Sequence, residues 1–361
     1  MCATKCNIPG RVAGVGGPRP TRDGDIDSRA GVTTIPAVDH DKLSGKRFRV
    51  GIVGVSGYGG GEALRLCATH PNFDLVYVAG EGSAGQSLVE RFPGIGDLGR
   101  LTIQKWDPHG IGELDLLFAS LPSGDSKEAL AKVRPETRIV DVGGDHRYAD
   151  GWTYGLADVW PEQVRGATRI ANPGCYPSAS LVPLAPLVAE GLIEPAGIII
   201  DAKSGVSGAG RGGGSTFGYA EVNEDVAAYG LLKHAHVPEM TKTLAKLSSG
   251  GSASLTFTPH LIPMTRGILA TCYARGNATT ERCLAAARKF YEGRPFVRVI
   301  EKPPHTKWAT GSNLVYVSYA PTRTGTWSSP WARSTTSAKA PPGSASLSRR
   351  TSALHSGTSQ S

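Results

Sequence analysis

The stretch "RIANPGCYPSAS", Arg169 to Ser180, frames one cysteine between a Pro-Gly pair and a Tyr-Pro pair. Arg169-Ile170 reads as the end of a short strand, Asn172-Pro173-Gly174 as a turn, and Pro177 onward as the first turn of a helix rich in Ala and Leu. Cys175 thus lies beside a helix N-terminus, where unpaired backbone N–H groups and the positive end of the dipole favour thiolate over thiol. A sulfur so placed is a nucleophile; a small apolar residue tucked into a turn is the alternative. A thiolate that forms an acyl intermediate also needs a proton carrier, and "KHAHVPEM" offers His234 and His236, which titrate in the useful range. The glycine-rich "SGVSGAGRGGG", Ser204 to Gly214, brings Arg211 and a run of amides suited to an anionic leaving group such as phosphate. Together these point to one reaction class: a thiol attacks an activated acyl group, hydride reduces the thioester, and an aldehyde leaves. The oxyanion would be met by the N–H groups that start the Cys175 helix, or by a nearby amide such as Asn172.

Hydride chemistry requires a dinucleotide, and "KRFRVGIVGVSGYGGGEALRLCATHPNFDLVYVAG" has the order such a site needs. An apolar strand, Phe48 to Val53, runs into Gly54, Gly57 and Gly59–Gly61, followed by a helix at about Glu62–His70 and a strand at Leu75–Ala79. Glycines allow the tight turn and the close approach of a pyrophosphate to the helix N-terminus. At the ribose end, Glu81 could accept from a 2′-hydroxyl, whereas Ser83 and the loop amides could hold a 2′-phosphate. Further strands at Leu114–Ala119 and Arg138–Val142 continue the alternation, with loops "ASLPSGDS" and "VDVGGDHRY" at their carboxyl ends. Beyond Cys175, strands at Gly197–Ala202, Ser254–Thr258, Gly267–Arg275 and Asn313–Ser318 with a helix at Thr280–Tyr291 predict a mixed or antiparallel sheet covered by helices on one side.

The chain of 361 residues is long enough for about two domains, and 40% hydrophobic with 19% charged residues is ordinary for a soluble protein. Six cysteines without a CxxC pair or zinc spacing indicate neither a disulfide scaffold nor a metal site, and a reducing, cytoplasmic setting fits. No apolar run approaches a membrane span, and no signal-peptide core is present. The net charge of +8 argues little for nucleic acid, because no acid follows Glu301 and the tail holds Arg333, Lys339, Arg349 and Arg350. Composition divides the chain into a disordered extension (1–45), a nucleotide-binding domain (46–172), a catalytic domain (173–325) and an aberrant, serine-rich tail (326–361) expected to be disordered.

Five motifs in order, "GVSGYGGGEALRL", "ANPGCYPSA", "SGVSGAGRG", "KHAHVPEM" and "PHLIPMTRGI", resemble N-acetyl-gamma-glutamyl-phosphate reductase of arginine biosynthesis over residues 46–325. The resemblance implies an α/β architecture: a Rossmann-type NADP-binding domain plus an α+β substrate and dimerisation domain of the glyceraldehyde-phosphate and aspartate-semialdehyde dehydrogenase kind. It implies NADPH-dependent reduction of N-acetyl-L-glutamyl 5-phosphate to the 5-semialdehyde, in a homodimer or homotetramer. By position, Cys175 is the nucleophile, and His236 and His234 provide the acid/base and a substrate contact, with His236 favoured for proton transfer. Gly54, Ser56, Gly57, Tyr58 and Gly59 cradle NADP(H), with Ser83 toward the 2′-phosphate. Arg211 and Arg266 serve the substrate's phosphate and carboxylate. A related dehydrogenase of aspartyl phosphate or of a carrier-protein-linked acyl phosphate, and a non-catalytic nucleotide-binding protein, are the rival readings.

Two departures stand out. His234-Ala235-His236 replaces the family's His-Arg-His, which removes a basic side chain and implies weaker substrate affinity. The family's closing "AIDNLxKGAAGQA" segment is also missing. Back-translating Thr326–Ser344 with permitted codons and reading one nucleotide earlier yields "VVVAMGAIDNLGKGAAGQ", so the tail reads as a frameshift product.

Overall fold

Apolar runs with little polar interruption, such as FRVGIV and LLFA, suit strands covered on both faces, and they form the centre of a parallel sheet. The structure, a computed structural model, describes residues 47–211, 217–249 and 251–321, and the backbone of 333–339. The first sheet contains β1 (Phe48–Val53), β2 (Phe73–Ala79), β3 (Leu116–Ala119), β4 (Arg138–Asp141), β5 (Thr153–Tyr154) and β6 (Arg169–Ala171). Its order is β2-β1-β3-β4-β6-β5, and every pairing is parallel. Helices α1 (Tyr58–Ala68), α2 (Leu88–Arg91), α3 (Ser126–Ala131) and α4 (Pro161–Val164) accompany it. Separate apolar clusters form around Val50, Ile52 and Phe118 and around Val53, Leu117 and Ile139, residues that alternate along the strands and so cover both faces.

The second sheet is mixed, in the order β11-β12-β13-β10-β7-β9-β8. Its strands are β7 (Ile198–Ser204), β8 (Ala227–Ala228), β9 (Leu255–Leu261), β10 (Ile268–Ala274), β11 (Val297–Val299), β12 (Val315–Pro321) and β13 (Arg333–Lys339). Helices α5 (Cys175–Ala189), α6 (Tyr219–Val222), α7 (His236–Leu247), α8 (Thr280–Phe290) and α9 (Thr306–Ala309) complete this half. Burial alternates strictly along β10, so one face meets the core, in which α5 and α8 pack, while the other faces outward.

Helix α5 is apolar all round, which is the signature of a central helix, and nearly every residue after Cys175 is buried. Pro183 and Pro186 lie inside it. Pro186 has no N–H for the Val182 carbonyl four residues back, and the Tyr291 hydroxyl donates to that carbonyl instead, at 2.5 Å. The nucleophile's helix is thereby fastened to α8 at the point where its own ladder is broken.

Three expectations need correction. Helix α1 begins at Tyr58 rather than Glu62, because Gly59–Gly61 lie inside the helix rather than in the turn. A Cβ on Gly60 would come within 2.1 Å of the Gly54 carbonyl oxygen, so the glycine serves helix–strand packing. Helix α5 begins at Cys175 itself, two residues before Pro177. The tail was expected to be disordered throughout, yet residues 333–339 form β13 between β10 and β12. Its register sets Arg333, Thr335, Ser337 and Lys339 opposite Ala274, Cys272, Ala270 and Ile268, all buried. The rest of the tail, residues 1–45 and the glycine run at 212–216 lie outside the described residues.

Candidate active site

The carboxyl ends of β4 and β6 meet at the turn that carries the cysteine. Asn172 follows β6 directly, and its N–H donates to the Asp141 carbonyl at the end of β4. The Asn172 side chain, proposed as an oxyanion donor, gives one of its two Nδ2 hydrogens to the Pro173 carbonyl at 2.9 Å and braces its own turn. Beside it, the first backbone N–H groups of α5 have no acceptor within the helix. Cys175 is the first residue of this helix and is partly exposed.

His236 is the first residue of α7, and its imidazole lies flat on the turn before the sulfur. A Cβ on Gly174 would sit 2.4 Å from His236 Nε2 and 2.7 Å from Cδ2, so only glycine admits the ring here. Burial, followed by the nearby Arg147 guanidinium and His234, pushes the His236 imidazole down to about 3. The ring is therefore neutral near pH 7. The His236 backbone N–H donates to His234 Nδ1 at 3.1 Å, which requires a lone pair at Nδ1 and leaves the proton of neutral His234 on Nε2. His234 Nε2–H is thus a donor. Burial lowers the His234 pKa as well. Edge contacts of Tyr176 with both imidazoles and with Phe257, and the 2.7 Å hydroxyl pair of Tyr176 and Tyr229, fix the two rings in place.

A residue that the motif analysis passed over ties this assembly together. Glu239, 1% exposed, lies one helical turn after His236 on α7. Its Oε1 accepts from Gly174 N–H at 2.8 Å and from the Tyr154 hydroxyl at 2.7 Å, and its Oε2 accepts from Arg147 Nη1 at 2.9 Å. Arg147 in turn donates from Nε to the Asn172 carbonyl at 3.0 Å. Burial raises the Glu239 pKa, while Arg147 and the two other donors oppose that shift. One carboxylate thus holds the helix bearing the base to the turn bearing the nucleophile. Its signal in the sequence is the spacing His-x-x-Glu on a helix, but α7 itself was not predicted. Asp145 plays a more local part: its carboxylate accepts from the N–H groups of Gly124, Ser126 and Lys127 at the start of α3.

The glycine turn after β1 fits a dinucleotide. Gly54 has φ +75°, and a Cβ there would lie 2.1 Å from the Ser120 carbonyl oxygen. Gly57 is the N-cap of α1, no side chain caps the helix, and its first turn carries no acid. The positive end is therefore left for an anion such as the pyrophosphate. Ser56 and Ser83 meet hydroxyl to hydroxyl, which folds the loop after β2 over this turn. A Cβ on Gly80 would lie 2.7 Å from Ser56 Oγ, a glycine requirement that the sequence pattern did not reveal. Gly59, inside α1, packs toward the Ser120 hydroxyl. Tyr58, placed with the cofactor by the motif, presents its ring to Arg211 at 4.9 Å and to Arg266 at 6.0 Å. The two arginines thus converge on one ring, although neither touches the Cys175 turn through a described hydrogen bond.

Residues 49–167 match the family described as "Semialdehyde dehydrogenase, NAD binding domain", and residues 175–327 match "Semialdehyde dehydrogenase, dimerisation domain". The chain is 67% identical over 274 residues to N-acetyl-gamma-glutamyl-phosphate reductase of Bradyrhizobium sp. (strain ORS 278), a match covering 76% of this chain and 85% of that protein. It is 40% identical over 297 residues to the protein of the same name from Synechococcus elongatus, covering 75% and 84%. Among solved structures, aspartate semialdehyde dehydrogenase II from Vibrio cholerae matches at TM-score 0.66 and 18% identity, covering 85% of this chain and 98% of that one. Aspartate semialdehyde dehydrogenase with NADP from Candida albicans matches at TM-score 0.66 and 14% identity, with the same coverage. The fold is shared with both.

Proposed function

The chain belongs to the N-acetyl-gamma-glutamyl-phosphate reductase family of semialdehyde dehydrogenases, and on that premise we propose that it reduces N-acetyl-L-glutamyl 5-phosphate to N-acetyl-L-glutamate 5-semialdehyde with NADPH, a step of arginine biosynthesis. The observation that carries the reading is the join of nucleophile and base: the His236 ring lies against Gly174, and Glu239 holds both elements.

His236, whose ring lies on the turn before the sulfur, accepts the Cys175 thiol proton. The thiolate adds to the acyl carbonyl; the C–S bond forms, the C–O bond to phosphorus breaks, and phosphate departs toward Arg211. The amides of the first turn of α5 meet the oxyanion, and His234 Nε2–H contacts the substrate. NADPH, when bound at the turn of Gly54, Ser56, Gly57 and Gly59 with Ser83 toward its 2′-phosphate, supplies the hydride for reduction of the thioester. Arg266 and Arg211 take the substrate's anionic groups. We place the protein in the cytoplasm as a homodimer or homotetramer.

The test is the reverse reaction, phosphate-dependent reduction of NADP with N-acetylglutamate semialdehyde, run beside Cys175→Ser. Turnover in the wild type that vanishes in the variant is expected. Equal rates in the two, or a folded wild type that binds NADP(H) without turnover, would refute the proposal; the latter would favour a nucleotide-binding role.

A further inference from the structure

Helix α1 follows the dinucleotide turn, yet one face of it points to the other half of the molecule. Tyr58, Glu62 and Arg65, spaced i, i+4 and i+7, form a single stripe. Glu62 is 7% exposed, and a carboxylate buried to that degree needs cationic partners. It has two. Arg65 Nε donates to its Oε2 at 2.9 Å from the same helix, and Arg266 Nη1 pairs with its Oε1 from the loop before β10. Arg65 also reaches Asn313 across the interface, at 3.5 Å.

Arg266 is one of the two cations assigned above to the substrate, and its side chain remains 42% exposed while one corner of its fork is tied to Glu62. A free arginine carries about 2 kcal/mol of rotamer entropy that binding an anion would have to overcome. The ion pair and the Tyr58 ring together remove much of that freedom in advance. Arg211, over the same ring, has no carboxylate partner among the described residues. The group of Glu62, Arg65, Arg211 and Arg266 therefore keeps a net positive charge with one of its cations held in place.

We propose that Glu62 is a positioning residue: from the cofactor-binding helix it holds Arg266 in the orientation that receives the substrate's anionic group. The inference rests on the functional reading above. It makes a prediction whose sign separates it from simple electrostatics. A carboxylate that acted only through its charge would weaken anion binding, so its removal would tighten it; a positioning carboxylate does the reverse.

The experiment uses the full chain with Glu62→Gln, Arg266→Gln and the double variant. Inorganic phosphate and NADPH are titrated calorimetrically, and KM and kcat are measured in the reverse reaction. Phosphate binding about tenfold weaker in Glu62→Gln is expected, with a parallel rise in its KM, unchanged kcat and NADPH affinity, and no further loss when the change is added to Arg266→Gln. Unchanged or tighter phosphate binding, an equal effect in both backgrounds, or a wild type that binds no phosphate would overturn it. The titration needs no turnover, so an inactive wild type would count against the assigned reaction and leave this inference to be decided by the phosphate isotherms.

Discussion

Glu239→Gln preserves the volume of a side chain that is 1% exposed while removing one acceptor, and its consequence can be worked through from the contacts. If the amide oxygen takes the place of Oε1, it still accepts from Gly174 N–H and the Tyr154 hydroxyl, but the NH₂ group faces the Arg147 guanidinium, donor against donor. If the amide is reversed, Arg147 keeps its acceptor and the Gly174 N–H loses one. Either way a buried donor is stranded, at about 1–3 kcal/mol for a neutral group and about 3–5 kcal/mol when an ion pair is broken. Domains are stable by about 5–15 kcal/mol, so the variant should fold, with a midpoint lowered by roughly 10 °C. The turn that carries Cys175 would no longer be held against the base, and a displacement of about 1 Å in such a group can reduce turnover roughly 10²-fold. The assay is steady-state NADP reduction on protein whose folded fraction is fixed by circular dichroism. A kcat within threefold of wild type, or a loss accounted for by the unfolded fraction, would refute the claim that Glu239 positions the nucleophile.

Other perturbations follow from the same geometry. Gly174→Ala places a methyl 2.4 Å from His236 Nε2, so kcat/KM should fall at least about tenfold while fluorescence titration shows unchanged NADPH affinity. For pH, His236 binds a proton more weakly folded (about 3) than unfolded (about 6.5), so stability is complete above about 6.5 and is lost as pH falls toward 3. At most about 1.4 kcal/mol per pH unit is involved, or about 2 kcal/mol between pH 6.5 and 5; urea titrations should show a smaller loss in His236→Gln than in the wild type.

The sequence alone determined the elements whose signals are local. The strand Phe48–Val53 was read at its observed limits, because an apolar run interrupted only by Arg49 and ended by Gly54 has few other stable conformations. The cysteine turn, the glycine turn and the two-histidine motif were legible for a similar reason: proline, glycine and imidazole act through their own backbone limits or titration range, within a few residues. What the sequence could not determine is which distant groups meet. Glu239 stood without a role in the two-histidine motif until the fold set its carboxylate on Gly174, 65 positions earlier in the chain. Arg266 was assigned to a substrate anion with no sign that α1 would present Glu62 to it, and Asn172 to the oxyanion with no sign that its side chain would bond the Pro173 carbonyl. Even the strand at 333–339 has no apolar period of its own; it is defined by β10 and β12, whose unpaired backbone groups on facing edges leave room for one more strand. Local chemistry chooses the residues able to react, whereas burial decides which of them must be paired, and that pairing exists only once the chain has folded.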